Sequence, residues 1–171
     1  MPTVNPDDFV QYTIESPIDH FDYQNDDTYS QRVWKNDKYY NAESGGPVFL
    51  YICGEYTCSI RPDRLFPFMV GASHGAELYA LEHRFYGKSV PNNDLSTNNL
   101  KYLTTEQALS DIAYFVQNIT EGHEDRQVIV IGGSYPGALS AWFRQRYPQL
   151  AIASWSSSGV VYPIKDFQMF D

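Results

Sequence analysis

Four apolar residues in succession, Val128-Ile129-Val130-Ile131, run into Gly132-Gly133-Ser134-Tyr135-Pro136-Gly137. The chain then resumes with helix-like spacing from Ala138 to Tyr147. A short apolar run bounded by a glycine turn reads as a buried strand, and the segment after it as a helix. A serine on the bend between the two is the layout of a nucleophile elbow, written Gly-Xaa-Ser-Xaa-Gly. The bend puts strained backbone angles on the serine and crowds the positions two residues to either side. Here those positions hold Gly132 and Pro136, and the second glycine, Gly137, comes one residue late. The stretch therefore commits the chain to a strand–turn–helix unit that presents Ser134 as a candidate nucleophile. The competing reading is an ordinary glycine-rich loop between a strand and a helix.

The rest of the chain is arranged to suit such a unit. Residues 1–45 are polar and aromatic, with alternating runs at Phe9–Ile14 and Tyr29–Trp34 that read as two antiparallel strands, wet on one side. Ser44-Gly45-Gly46-Pro47 breaks this texture. From residue 46 on, apolar strands alternate with helical segments. Val48–Cys53 is a strand covered on both faces. Asp63 is placed to cap a helix running through Phe68–Val70. Glu77–Glu82 is the next strand. Thr104 opens a capping box with Gln107, and Leu109, Ile112, Ala113, Val116 and Ile119 form one apolar helix face. Leu139, Trp142, Phe143 and Tyr147 mark the helix after the elbow, stopped by Pro148, and Ala151–Trp155 is the last strand. Strands alternating with helices predict a parallel sheet with right-handed crossovers. Two antiparallel strands, then parallel βαβ units with a serine elbow on the third parallel strand, give the α/β class and the layout of an α/β-hydrolase.

A serine hydroxyl needs a base to become a nucleophile. In this layout the acid and the histidine follow the serine in the chain. Downstream of Ser134 the acids are Asp166 and Asp171, and the four histidines, His20, His74, His83 and His123, all precede it. His83 ends a strand on the right side of the sheet. One strand separates it from the elbow, which puts the backbones about 10 Å apart, against about 3 Å for a direct hydrogen bond. His83 is therefore expected to tie down the Arg84–Lys88 loop rather than to act as base, with Arg84 pairing with Glu82 or Glu55. The oxyanion donors are expected to be the backbone N–H of Tyr135 and that of Gly54 or Glu55, in the loop after the first crossover strand.

Other features bound the setting. A net charge of −9 disfavours a nucleic-acid partner, and no apolar stretch of about 18 residues forms a membrane span. Cys53 and Cys58 can close a short loop in an oxidising compartment or remain free thiols, and with no histidine pair at ligand spacing they make no metal site. Asn118-Ile119-Thr120 is a glycosylation sequon that has meaning in a secreted chain. Met1-Pro2-Thr3-Val4-Asn5 does not start a signal peptide, so the expectation is either a cytosolic chain or an N-terminus lying elsewhere.

With Ser134 in place, the chain resembles the serine carboxypeptidase family that includes lysosomal prolyl carboxypeptidase, dipeptidyl peptidase II and thymus-specific serine protease. The resemblance rests on Ile18–Phe21, Gln31–Trp34, Gly46–Tyr51, Gly54-Glu55, Glu82–Pro91, Leu100–Thr104 with Gln107–Leu109, and Gly132–Trp142 with Arg144 and Tyr147-Pro148, in the family's order. It implies an exopeptidase that cleaves after proline, removing either a C-terminal residue or an N-terminal dipeptide. It implies proline-containing peptide substrates, no metal, no organic cofactor, a homodimer in the full-length form, and a lysosomal, vacuolar or secreted location. It also implies a helical cap and a C-terminal segment with the triad Asp and His, in a protein more than twice this length.

The chain is thus expected to be residues 1–171 of the N-terminal part of such a peptidase domain, with 1–45 as the antiparallel region and 46–171 as the parallel one. The cap and the C-terminal catalytic segment are expected to be absent from it, and the chain alone to be inactive. Two other readings stay open: a pseudo-peptidase that acts as a binding or decoy module, and a small serine esterase with an unforeseen base. The strand at Ala151–Trp155 is expected to form an exposed edge, and Val160, Val161, Tyr162, Phe167 and Phe170 an uncovered apolar tail. Both favour poor solubility of the isolated chain.

Overall fold

The computed structural model describes residues 1–123 and 125–168. Its strands are β1 (Val10–Pro17), β2 (Thr28–Asn36), β3 (Val48–Ile52), β4 (Glu77–Leu81), β5 (Val128–Gly133) and β6 (Ala153–Ser157). Its α-helices are α1 (Phe66–Ser73), α2 (Thr105–Thr120) and α3 (Tyr135–Arg146). The strands form one sheet in the order β1-β2-β4-β3-β5-β6. β1 pairs antiparallel with β2, and β2 antiparallel with β4. From β4 to β6 every pairing is parallel, with Leu50 opposite Tyr79 on one side and Val130 on the other. The expected α/β architecture is present, and β3 does lie between the His83 strand and the elbow strand.

The two faces of the sheet account for this layering. Side chains alternate along a strand. Val48, Leu50 and Ile52 point with Val128 and Val130 to one face, where α2 and α3 cover them with Leu109, Ile112, Val116, Leu139 and Phe143. Phe49 and Cys53 point with Leu78, Ala80 and Ile131 to the other, under Phe68 and Ala72 of α1 and Phe9 of the N-terminal segment. β3 and β4 are covered on both faces, and their sequences are continuous apolar runs for that reason.

Local detail differs from expectation at two helix starts. Asp63 caps no helix. It sits in a 3-10 turn, Pro62–Arg64, and pairs with Arg61, while α1 begins after Leu65 without a side-chain cap. Thr104 does cap α2, its hydroxyl accepting from the Gln107 N–H at 3.2 Å. The return half of the capping box is missing, because the Gln107 side chain is used elsewhere. It accepts from the His20 N–H (3.0 Å) and donates to Asp19 (2.6 Å), tying α2 to the turn after β1.

β6 is the outer strand next to the elbow, and its residues are half-buried to exposed. Beyond it Val160, Val161, Tyr162, Ile164 and Phe167 are about half or more exposed. Phe170 and Asp171 lie outside the described residues. No helix of the described residues is long and apolar enough to cross a membrane.

Candidate active site

Ser134 lies between the last residue of β5 and the first of α3, with φ 62° and ψ −127°. A non-glycine residue at positive φ is held there against its own preference by the surrounding structure. Three contacts hold it. The Ser134 N–H donates to the Ser157 carbonyl at the end of β6 (2.9 Å). The Ala138 N–H donates back to the Ser134 carbonyl (3.1 Å), closing the first turn of α3. Gly132 lets that turn fold against the strand, since a Cβ there would lie 2.0 Å from the Pro136 carbonyl oxygen. The motif's crowding is therefore real at Gly132, whereas the Pro136 side accepts a ring. Gly137 has its own reason, a hypothetical Cβ 2.8 Å from the Ser157 carbonyl oxygen. The Ser134 side chain is exposed, and among the described residues no group hydrogen bonds its hydroxyl.

The loop after β3 comes up beside the elbow. Gly54 is buried against it, with a hypothetical Cβ only 2.8 Å from the Pro136 ring. Among the described residues, nothing accepts from the N–H groups of Tyr135, Gly54 or Glu55. An oxyanion site requires N–H groups that are left unpaired by the fold. Two links fix this loop. Cys53 and Cys58 are joined as a disulfide, and the Cys58 N–H donates to the Glu82 carboxylate (2.9 Å). Removing the bridge with Cys53→Ser and Cys58→Ser should lower stability by about 2 kcal/mol on the chain-entropy estimate for so short a loop. Urea melts of the oxidised protein and the double variant measure it.

Glu82, His83 and Arg84 end β4 and reach three different parts of the molecule. Glu82 is fully buried, and Arg32 grips it through Nε (2.8 Å) and a second guanidinium nitrogen. Ser89 also donates to it, at 2.6 Å. Burial works to raise the Glu82 pKa, but the bonds from Arg32, Ser89 and the Cys58 amide outweigh it and hold the carboxyl below the usual range. Arg84 does not pair with Glu82 or Glu55. All five of its N–H donors are spent on Asp111 of α2 (two bonds of 2.7 Å) and on the carbonyls of Pro17, Ile18 and Tyr102. The Asp111 carboxylate also takes His20 at 2.7 Å and the Tyr29 hydroxyl at 2.9 Å. His20 is thereby a structural residue tied to α2. Asp111 escaped the sequence reading, although Ala108, Asp111 and Phe115 follow helical spacing and are all buried. A carboxylate inside an apolar stripe is the signal that could have found it.

The His83 side chain is buried. Its Nδ1 lies 2.7 Å from the Arg84 carbonyl, an acceptor only, so Nδ1 carries the proton. Nε2 then accepts from the Tyr135 hydroxyl at 3.1 Å. Both ring nitrogens are thus occupied, and the ring positions the residue after Ser134 rather than Ser134 itself. Burial is the main cause of a lowered His83 pKa, with the Arg84 charge adding to it against Asp111 and Glu55, which act in the opposite direction. Between the lowered folded value and the ordinary one near 6.5, the unfolded chain binds more protons. Stability should accordingly fall as the pH drops through that window. His83→Gln, which keeps a donor and an acceptor but cannot titrate, should flatten that part of a plot of Tm against pH. An unchanged slope would assign it to other groups.

His74, at the C-cap of α1 before β4, and His123, in the turn before β5, are exposed and lie toward the ends where those strands begin, whereas Ser134 follows the end of β5. None of the four histidines bonds to Ser134, as their sequence positions suggested. Asn118 is exposed near the end of α2. Asp166 is exposed, and Asp171 is outside the described residues. Two hollows flank the serine. A polar cleft of about 180 Å³ is lined by Glu55, His83, Tyr86, Thr104, Thr105 and Tyr135. An aromatic one of about 240 Å³ lies on the α1 and β6 side.

Residues 16–171 match the family model described as serine carboxypeptidase S28. The chain is 42% identical to an Arabidopsis thaliana protein named "Probable serine protease EDA2", over 92% of its own length and 32% of the relative's. It is 34% identical to human lysosomal Pro-X carboxypeptidase, over 97% of its own length and 34% of the relative's. It therefore spans about a third of the length of these relatives. Among solved structures, oligopeptidase B from Trypanosoma brucei superposes with a TM-score of 0.58 at 14% identity, covering 86% of this chain and 20% of that one. At that identity the likeness is one of fold.

Proposed function

Since the chain belongs to the serine carboxypeptidase S28 family, we propose that it carries the nucleophile and oxyanion site of a serine exopeptidase acting on proline-containing peptides. The observation behind this is Ser134, exposed at positive φ beside unpaired N–H groups of Tyr135 and the Gly54–Glu55 loop. Ser134 Oγ attacks the scissile carbonyl carbon as its proton passes to a base. The carbonyl oxygen gathers negative charge between the Tyr135 N–H and one of Gly54 or Glu55. The C–N bond then breaks, the amine leaves with a proton, and water releases the acid from the acyl-serine.

The base is not one of this chain's four histidines. His20 and His83 are engaged elsewhere, and His74 and His123 are remote. In this reading the triad Asp and His, with a helical cap, come from outside these 171 residues in the whole protein. A lysosomal or secreted setting is consistent with the Cys53–Cys58 bridge and the exposed Asn118 sequon.

A fluorophosphonate probe applied to the full-length protein tests the assignment. Peptide mapping should place the label on Ser134, and Ser134→Ala should abolish it together with peptide hydrolysis, a loss of about four to six orders of magnitude in kcat. A label on another residue, or hydrolysis that survives Ser134→Ala, would remove the proposal. Rapid labelling of the 171-residue chain by itself would place the base within it.

A further inference from the structure

The start of α3 lacks the bond that usually fixes a helix end. Ser134 occupies its N-cap position, and the Ser134 side chain caps nothing. A hydroxyl kept for nucleophilic attack is not available for that bond. The next residue, Tyr135, carries an amide expected to stabilise the oxyanion, so the placing of its backbone matters most.

The half-buried Tyr135 side chain reaches two other elements. Its oxygen accepts from the Thr105 hydroxyl at the start of α2. It donates in turn to Nε2 of His83, 3.1 Å away and just past the end of β4. The two rings also pack, with centroids 5.5 Å apart. The direction of this line is set at its far end. His83 Nδ1 donates to the Arg84 carbonyl at 2.7 Å, which leaves Nε2 as the acceptor. Arg84 in turn is fixed by Asp111 and by the carbonyls of Pro17, Ile18 and Tyr102. The Tyr86 ring closes another side of His83, at 5.4 Å between centroids. His83, Thr105 and Tyr135 all line the polar cleft beside the serine.

We propose that His83 is a positioning residue for the oxyanion site. Through the Tyr135 hydroxyl it holds the first turn of α3, and with it the Tyr135 N–H, in place of the cap that Ser134 does not provide. The inference rests on the peptidase reading of Ser134. It gives the end of β4 a part in the reaction, although one strand separates β4 from the elbow strand.

Fluorophosphonate labelling of the full-length protein tests it, because the phosphonyl oxygen takes the place of the scissile carbonyl oxygen. Rates are compared at a temperature where circular dichroism shows each variant folded. Tyr135→Phe removes one oxygen and leaves the ring and the amide. It should lower the maximal labelling rate by about three- to tenfold, the effect of one hydrogen bond, and leave the half-saturating probe concentration within about twofold. His83→Ala should lose as much, and the double variant little more than either, because the pair acts as a unit. His83→Gln, whose amide oxygen can accept from Tyr135, should recover part of the His83→Ala loss, and none of it in the Tyr135→Phe background. A side chain that only supported the fold would shift the melting temperature and leave the rate of folded molecules alone. A maximal rate within about twofold of the parent in Tyr135→Phe would overturn the inference. So would a loss confined to half-saturation, or single losses that multiply in the double variant. Should His83→Ala fail to fold, Tyr135→Phe decides by itself. An unlabelled Ser134 in the parent removes the peptidase reading and this inference with it, whereas a labelled parent with unchanged variants removes the inference alone.

Discussion

Replacing Asp111 with alanine should destabilise the protein by about 3–5 kcal/mol, the usual consequence of breaking a buried ion pair from one side. Arg84 has no solvent exposure and Asp111 only 1%. Without the carboxylate, two of the guanidinium's five donors and a full positive charge are left buried. The Tyr29 hydroxyl and the His20 ring also lose their acceptor. Against a typical total stability of about 5–15 kcal/mol, this is a large fraction. Urea melts of the parent and Asp111→Ala proteins measure it, and a loss below about 1 kcal/mol would contradict the account. Acid should have the same effect by another route. Burial works to raise the Asp111 pKa, but the Arg84 charge and hydrogen bonds, with those from His20, outweigh it and hold the carboxyl below its ordinary value. A carboxyl with a lowered folded pKa contributes its full stability above its unfolded value of about 3.9 and loses it as the pH falls through the folded one. The acid limb of the stability curve should therefore shrink in Asp111→Ala.

The second large effect is expected at the elbow, where two adjacent glycines should behave in opposite ways. In Gly132→Ala the new methyl would sit 2.0 Å from the Pro136 carbonyl oxygen and 2.3 Å from its carbon. Both are backbone atoms of the first turn of α3 and cannot turn aside. The bend must open, at about 3 kcal/mol or more, toward the upper end of what overpacking costs. Ser134 would move with it, so covalent labelling should fall further than the melting temperature suggests. Gly133→Ala meets nothing closer than 3.8 Å, the Ser157 carbonyl oxygen. That change should stay within about 0.5 kcal/mol and leave labelling intact. Equal sensitivity at the two positions would mean the elbow is not packed as described.

The strands most readily legible in the sequence are those covered on both faces. Val48–Ile52 and Val128–Ile131 are unbroken apolar runs because no side of them meets water, and the turn residues around them are unambiguous. The apolar face of α2 was legible for the complementary reason, a single stripe at helical spacing. What the sequence could not carry was polar pairing across distance. Arg84 looks toward Glu82 on the page because Glu82 is two residues away. In space it faces Asp111, while Glu82 is taken by Arg32 from β2. Gln107 fits a capping box by spacing, yet its side chain answers to Asp19 and His20 across the domain. Short-range grammar does not encode which of several charged partners a crossover will bring near. The elbow was the exception among polar features, because the bend at Ser134 is written in Gly132–Gly137, although Ser157 helps to hold it.

Ser134 owes part of its conformation to the strand least enclosed by the sheet. Its amide donates to the carbonyl of Ser157, the last residue of the outer strand β6, and an outer strand opens more easily than the centre of a sheet. The rate at which the Ser134 amide exchanges with deuterium should therefore follow fraying of β6 rather than global unfolding. Among the described residues no strand pairs with the outer side of β6, and anything that did so would slow that exchange and hold the serine in its bent pose for a larger share of the time. The nucleophile's readiness would then be a dynamic property of a strand that contributes no side chain to the chemistry.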